Sequence, residues 1–190
     1  MWTCDQQAVL AALAKEFDFP VALNSPNCAL KAAGGACAVV SKQLTTLGAA
    51  TEDLFAIVGT VRILQIYAVC TAEAEGPNTT FSNCKFSIYD QTNTADMCTV
   101  VNASGIEVND VLAKQADSGS ALVWLDVDSA GIYSESGTFR RAFFEGIAAK
   151  KTGADTYIRF AYTGDGTTDV TLQFFVRWQP MTADATLTAV

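Results

Sequence analysis

The chain has 190 residues, half of them hydrophobic, and a formal net charge of −8 at pH 7. This length suits one domain with an appended arm, and the acidic charge disfavours nucleic acid and anionic lipid, which bind proteins through basic patches. The chain contains no histidine, which is the commonest general base and metal ligand. We therefore predict a protein that works through its surfaces, without catalytic residues, bound metal or cofactor.

Neither membrane insertion nor secretion is predicted. No uninterrupted apolar stretch approaches the roughly 18 residues that a membrane-spanning helix needs. The first residues carry no basic segment ahead of their apolar part, which argues against a secretory signal. We expect a protein made in a reducing cytoplasm.

The six cysteines form no Cys-X-X-Cys pair, and this spacing disfavours a zinc site. Cys70 and Cys84 are predicted to be buried thiols, because free cysteine behaves as a small hydrophobe and both fall on apolar strand faces. Their predicted face neighbours are Leu64, Ile66 and Ala68 for Cys70, and Phe86 and Ile88 for Cys84. Cys28 and Cys37 are close enough in sequence to be paired, and the pattern leaves both the thiol and the disulfide open.

The first stretch of the chain is rich in alanine and predicts a helical arm. Thr3 and Gln6 have the spacing of a capping box, and an apolar stripe of helical period follows them. Phe19-Pro20 ends this run, because proline cannot continue a helix. Such a stripe packs either across an open end of its own body or on a partner. The candidate partner-binding side chains of the arm are Trp2, Val9, Leu10, Leu13, Phe17 and Phe19.

From Leu54 onward the apolar period changes to two, which is typical of strands. The second predicted strand is long, and we expect a bulge or bend near Ala68. Residues 36–47 fit a strand or a helix, and residues 102–119 are predicted to be mostly connection. The predicted strands are Leu54–Val58, Val61–Glu75, Phe81–Tyr89, Met97–Val101, Ala121–Val127, Thr138–Phe144, Thr156–Thr163 and Asp169–Gln179.

The last predicted strand has the clearest inside and outside pattern. Its apolar face consists of Val170, Leu172, Phe174, Val176 and Trp178. This alternation is typical of a half-buried antiparallel strand. Phe175 lies on the opposite face beside Arg177, and we take it as a further candidate partner-binding residue.

About eight strands without a long helix between them predict an all-β fold, an antiparallel β-sandwich or jelly-roll-like barrel with a short helical N-terminal arm. The predicted parts are an arm over residues 1–50, a body over residues 51–182 and a C-terminal tail over residues 183–190.

Two patterns that would indicate chemistry are incomplete. Residues 126–131 begin like a calcium-binding loop, but Ala130 and Gly137 stand where further oxygen ligands are needed. Glycoside hydrolysis needs two facing carboxylates, and the sequence does not bring its candidates to one site. Those candidates are Asp126, Asp128, Glu135 and Glu145. A carbohydrate-binding module or glycan-active enzyme remains the alternative of another class.

Three segments of the chain match a pattern that occurs in one known group of proteins. The run from Leu54 to Ile63 is similar to that group's LF-x-V-x-G-x-V opening, and Asp96-Met97-Cys98 is similar to its short D-L-C strand. The C-terminal part of the group's sequences is similar to the last strand of this chain, which ends in Trp178-x-Pro180, and to the small-residue tail after it. These segments resemble those of tailed-bacteriophage head-associated proteins, and the resemblance covers roughly residues 52–190.

This resemblance implies a virion structural protein of the decoration or cement type, located on the capsid exterior. Its expected partners are the major capsid protein and further copies of itself, commonly as trimers at local three-fold positions, with no nucleic acid or membrane. The alternative within the same class is another β-sandwich virion component, such as a head-fibre base, neck or tail protein.

Overall fold

The structure is a computed structural model of the chain that describes residues 37–46, 48–73, 81–114, 119–125, 146–164, 166 and 170–190. This part of the chain is all-β and contains no helix. The strands are β1 (Ala38–Thr46), β2 (Ala49–Val58), β3 (Thr60–Glu73), β4 (Ser82–Tyr89), β5 (Thr94–Asp96), β6 (Val111–Lys114), β7 (Leu122–Leu125), β8 (Gly146–Ala149), β9 (Thr156–Thr163), β10 (Val170–Pro180) and β11 (Thr186–Ala189).

The strands form two antiparallel sheets. Sheet A has six strands in the order β1-β10-β3-β6-β7, with β8 also pairing on β3. Sheet B has five strands in the order β11-β2-β9-β4-β5. Strands β10 and β3 are the longest neighbours and pair from Val170 with Glu73 to Pro180 with Val61. The predicted all-β, antiparallel class is thus confirmed.

The two sheets pack against each other through one shared hydrophobic core. The ring of Phe160 on β9 lies 5.0 Å from that of Phe174 on β10, which joins the sheets at the centre. Phe86 on β4 extends this cluster, 5.3 Å from Phe160. The predicted alternation of β10 is confirmed, because the five apolar side chains of its predicted core face are all buried.

Irregularities in β2 and β3 change which side chains face this core. In β2 the register with β9 shifts between Asp53 and Phe55, so that Leu54 and Phe55 are both fully buried. In β3 the register with β10 shifts at Leu64 and at Thr71, and not at Ala68 as predicted.

The shift at Leu64 also corrects one predicted core position. Ile63 is buried in its place, while Leu64 is only half-buried. The shift adds one residue to β3 at this point, and every side chain before it therefore changes face. The prediction is confirmed for Ile66, Ala68 and Cys70, which are all fully buried.

Residues 97–103 link the two sheets without forming a strand, although a strand was predicted over Met97–Val101. The Met97 amide donates to the Phe86 carbonyl at 2.9 Å, and Val101 forms a bridge with Cys84, both on β4 of sheet B. Thr99 forms a parallel bridge with Ala121, next to β7 of sheet A. This segment therefore closes one side of the core.

Both ends of the described chain take part in the sheets. Strand β1 falls in the ambiguous stretch 36–47, and all nine of its residues pair with β10. It lies within the predicted arm, as does the start of β2 at Ala49. Strand β11 lies within the predicted tail and pairs with β2. Strand β6 occupies part of a stretch that was predicted to be connection.

Candidate interaction surface

Side chains of sheet A that point away from the core form a broad surface, called here outer face A. It is arranged in cross-strand rows that follow the strand register. These rows are Gln179, Arg62 and Ile147; Val39, Arg177 and Gln65; Ser41, Phe175, Tyr67, Ala113 and Val123; and Gln43, Gln173, Val69 and Val111.

An aromatic stack lies near the centre of outer face A. Tyr67 on β3 and Phe175 on β10 are direct cross-strand partners. Their ring centroids are 5.0 Å apart and the ring planes differ by 19°. Cross-strand aromatic pairs of this kind stabilise a sheet and present flat apolar area. Both rings are half-buried in the described chain. Phe175 therefore lies on the predicted outer face, where its ring packs against that of Tyr67.

The row beside the stack contains an exposed valine of β1. Val39 is 65% exposed and pairs with Arg177, which in turn pairs with Gln65 on β3. Arg177 is two residues from Phe175 on the same strand and therefore on the same face. Ile147 on β8, at the end of the face, is 66% exposed.

Outer face A carries no carboxylate among the side chains assigned to it above, although the whole chain has a net charge of −8. Among the described side chains of these rows, the only charged groups are Arg62 and Arg177. Protein-binding surfaces are enriched in aromatic residues and arginine and depleted of acidic residues. The composition of this face therefore matches that of a protein-binding surface.

The outer face of sheet B is built differently, since its charges are paired within the chain. The Arg159 guanidinium donates two hydrogen bonds to the Asp53 carboxylate and lies 3.4 Å from the ring centroid of Tyr89. These hydrogen bonds to the Asp53 carboxylate raise the pKa of Arg159. Lys85 pairs with Asp96 at 2.8 Å on the same face. Ion pairs of this kind are typical of a protein surface that faces solvent.

Buried polar groups lie inside the core near β6. Lys114 is fully buried and Asp110 is 1% exposed. The Asp110 carboxylate accepts hydrogen bonds from the Trp124 indole at 2.9 Å and from the Glu107 amide at 3.0 Å. Nothing in the sequence pattern singled out Lys114, because a lysine at a strand end ordinarily reaches water.

Cysteine side chains adjoin this region. Burial raises the pKa of Cys84 to about 12, and the nearby Cys98 adds to the shift. Burial also raises the pKa of Cys98, while the Phe86 amide and Lys114 act in the opposite direction. Cys70 and Cys84 are free buried thiols, as predicted. Among the described residues, no three histidine, cysteine or acidic side chains come together as a metal site.

Several residues singled out in the sequence lie outside the described part of the chain. They are Trp2, Val9, Leu10, Leu13, Phe17, Phe19 and Cys28, the segment 126–131, and the carboxylates of Glu135 and Glu145. Cys37 is described: it is a half-buried free thiol that accepts a hydrogen bond from the Gln179 amide at 3.3 Å.

No protein-family model, curated protein or solved structure matches this chain. Within the described residues, no helix has the length and apolar character needed to cross a bilayer. The resemblance to phage head-associated proteins therefore stays a prediction.

Two members of outer face A were not identified as candidates from the sequence. Tyr67 lies on the face opposite Cys70, so the period of two already placed it outward. Its contact with Phe175 depends on the register between β3 and β10, which the pattern does not give. Arg177 was placed on the outer face, but only the structure shows that it has no hydrogen-bond or ion-pair partner among the described residues.

Proposed function

We propose that this chain is a virion structural protein that binds the outer surface of the major capsid lattice and stabilises the head, as decoration or cement proteins do. The observation that carries the proposal is outer face A, a surface with an aromatic stack, an exposed valine, two half-buried arginines and no carboxylate among the described side chains of its rows. The resemblance in sequence over residues 52–190 supplies the identity of the partner.

We infer that the two packed sheets form a β-sandwich or jelly-roll-like barrel preceded by a short helical arm. A body of this kind is a rigid platform, because its strands are fixed by pairing within each sheet and by a single shared core. The arm would bury its apolar stripe on a neighbouring subunit. In this arrangement the chain associates with copies of itself as a trimer and binds neither nucleic acid nor membrane.

The proposed mechanism is mass action. A partner that binds only the assembled shell stabilises the shell by its free energy of binding. Many copies bound to one particle multiply this effect, even when each contact is weak. The protein is made in the host cytoplasm and ends on the capsid exterior, and no covalent chemistry is required.

The test is binding to purified phage heads from which this protein has been removed. We expect wild-type protein to co-sediment with expanded, DNA-filled heads at a copy number that scales with the capsid lattice. Phe175→Ala should weaken binding, because it removes half of the aromatic stack from outer face A. Tyr157→Ala is the matched control, since Tyr157 is a half-buried aromatic residue on the outer face of sheet B.

Three outcomes would contradict the proposal. Absence of binding to heads would remove the capsid as partner. A copy number that matches a single vertex or the neck would indicate another virion component instead. Glycan binding or turnover that depends on one surface carboxylate would place the protein in the carbohydrate-active class.

A further inference from the structure

We propose that Arg177, together with the Tyr67–Phe175 stack, is the recognition centre for a carboxylate on an acidic partner protein that covers outer face A. The inference rests on the proposed function for the identity of that partner, the capsid subunit, and adds the chemistry by which it is recognised.

The first argument is the state of Arg177. Among the described basic side chains, Arg177 alone has no hydrogen bond, ion pair or ring contact. Contacts are present at all the others, which are Lys42, Arg62, Lys85, Lys114, Lys150, Lys151 and Arg159. Arginine binds carboxylates through a planar fork of two parallel hydrogen bonds. Since no carboxylate lies among the described side chains of these rows, the Arg177 guanidinium is available to a partner's acidic residue.

The second argument is the position of Arg177 among apolar groups. Val39 beside it is 65% exposed, and the ring of Phe175 stands two residues away on the same face. A partner that covers Val39 and the aromatic stack excludes water from the guanidinium and from the carboxylate it meets. Exclusion of water strengthens the ion pair, and arginine and aromatic residues dominate measured binding hot spots.

The third argument is charge complementarity, which also selects the class of partner. Outer face A is cationic in an acidic chain, and it therefore suits an acidic surface. The outer face of sheet B of a second copy is a poorer source of that surface. The carboxylates on the outer face of sheet B, Asp53 and Asp96, are already bound by Arg159 and Lys85 of their own chain.

The experiment compares charge variants of the full chain on heads depleted of the protein. We expect Arg177→Glu to weaken binding by about tenfold or more, because a favourable ion pair becomes a repulsive one. Arg177→Lys should keep part of the affinity, since it retains the charge and loses the fork. Lys85→Glu makes the same charge change on the opposite face and should bind as the wild type does. Circular dichroism and thermal unfolding establish that each variant is folded.

The outcomes separate this inference from the proposed function. If the wild type binds heads and Arg177→Glu binds equally well, the recognition centre is wrong while the capsid function stands.

If the wild type does not bind heads, the capsid function fails, and an array of short acidic and neutral peptides becomes the probe. Selective retention of acidic peptides by the wild type and not by Arg177→Glu supports the inference, and equal retention overturns it. Self-association in sedimentation velocity that Arg177→Glu abolishes would make a second copy the occupant and overturn the named partner.

Discussion

Phe160 on β9 and Phe174 on β10 place their ring centroids 5.0 Å apart, with planes inclined by 59°, and thereby connect the two sheets at the middle of the core. Phe86 meets Phe174 edge-on at 6.1 Å, which completes a three-ring cluster. The adjacent Phe175 points the other way and stacks on Tyr67. Of these two neighbouring phenylalanines, Phe174 therefore packs in the core and Phe175 forms part of the surface.

Replacement of these two residues by alanine should have unequal effects on stability. Phe174→Ala should lower the free energy of unfolding by about 3–5 kcal/mol, because it leaves a cavity among fully buried rings. Phe175→Ala should cost about 1 kcal/mol, the order expected for loss of a half-buried aromatic pair. Chemical denaturation of both variants measures the difference, and equal losses would contradict the assigned faces.

Gly59 is expected to tolerate no side chain. It has φ of +64°, and an added Cβ would lie 2.5 Å from the Thr182 hydroxyl and 2.9 Å from the Ala185 Cα. Gly105 is the matched control, because it has φ of +85° and nothing within 4 Å of an added Cβ. Gly105→Ala should cost about 1–2 kcal/mol for the left-handed backbone. Gly59→Ala should cost at least about 1 kcal/mol more for the contact. Equal losses in denaturation would show that the turn can move aside.

Long alternating strands were predictable from the sequence, and short ones were not. Strand β9 has the predicted bounds, because its buried residues alternate with half-buried ones without interruption. Strands β8 and β11 have four residues each, too few to show a period. In β3 the extra residue at Leu64 reversed the phase of the residues before it, and a bulge leaves no clear mark in an apolar run.

The candidate surface was predictable only in part. The period of two placed Phe175 and Arg177 on the outer face of their strand, and the structure confirms both positions. Two features depend on strand register and on contacts between residues distant in sequence: the aromatic partner of Phe175, and the absence of a partner for Arg177 within the described part of the chain. Periodicity carries no information about either of them.

Thiol labelling should distinguish cysteine positions in the native protein. Cys37 is half-buried, whereas Cys70, Cys84 and Cys98 are fully buried. A maleimide should therefore modify Cys37 readily and the three core thiols only after unfolding, since alkylation requires an accessible thiolate. Peptide mass spectrometry after a brief pulse, with and without urea, assigns each site. Rapid native labelling of Cys84 would contradict its burial.

Alkaline pH should weaken the fold through Cys84. Its pKa is raised to about 12 in the folded protein, while an unfolded thiol titrates near 8.5. The contribution of the protonated thiol is therefore fully present below about pH 8.5 and is lost as pH rises toward 12. Between pH 8 and 10 the free energy of unfolding should fall by about 2 kcal/mol from this group. Urea denaturation at both pH values should show a smaller fall in Cys84→Ala than in the wild type, whatever the variant's stability at pH 8. Cys37→Ala is the control: it removes a thiol outside the core and should show the same fall in the free energy of unfolding as the wild type. If Cys84→Ala also shows an undiminished fall, other groups cause the loss of stability at alkaline pH.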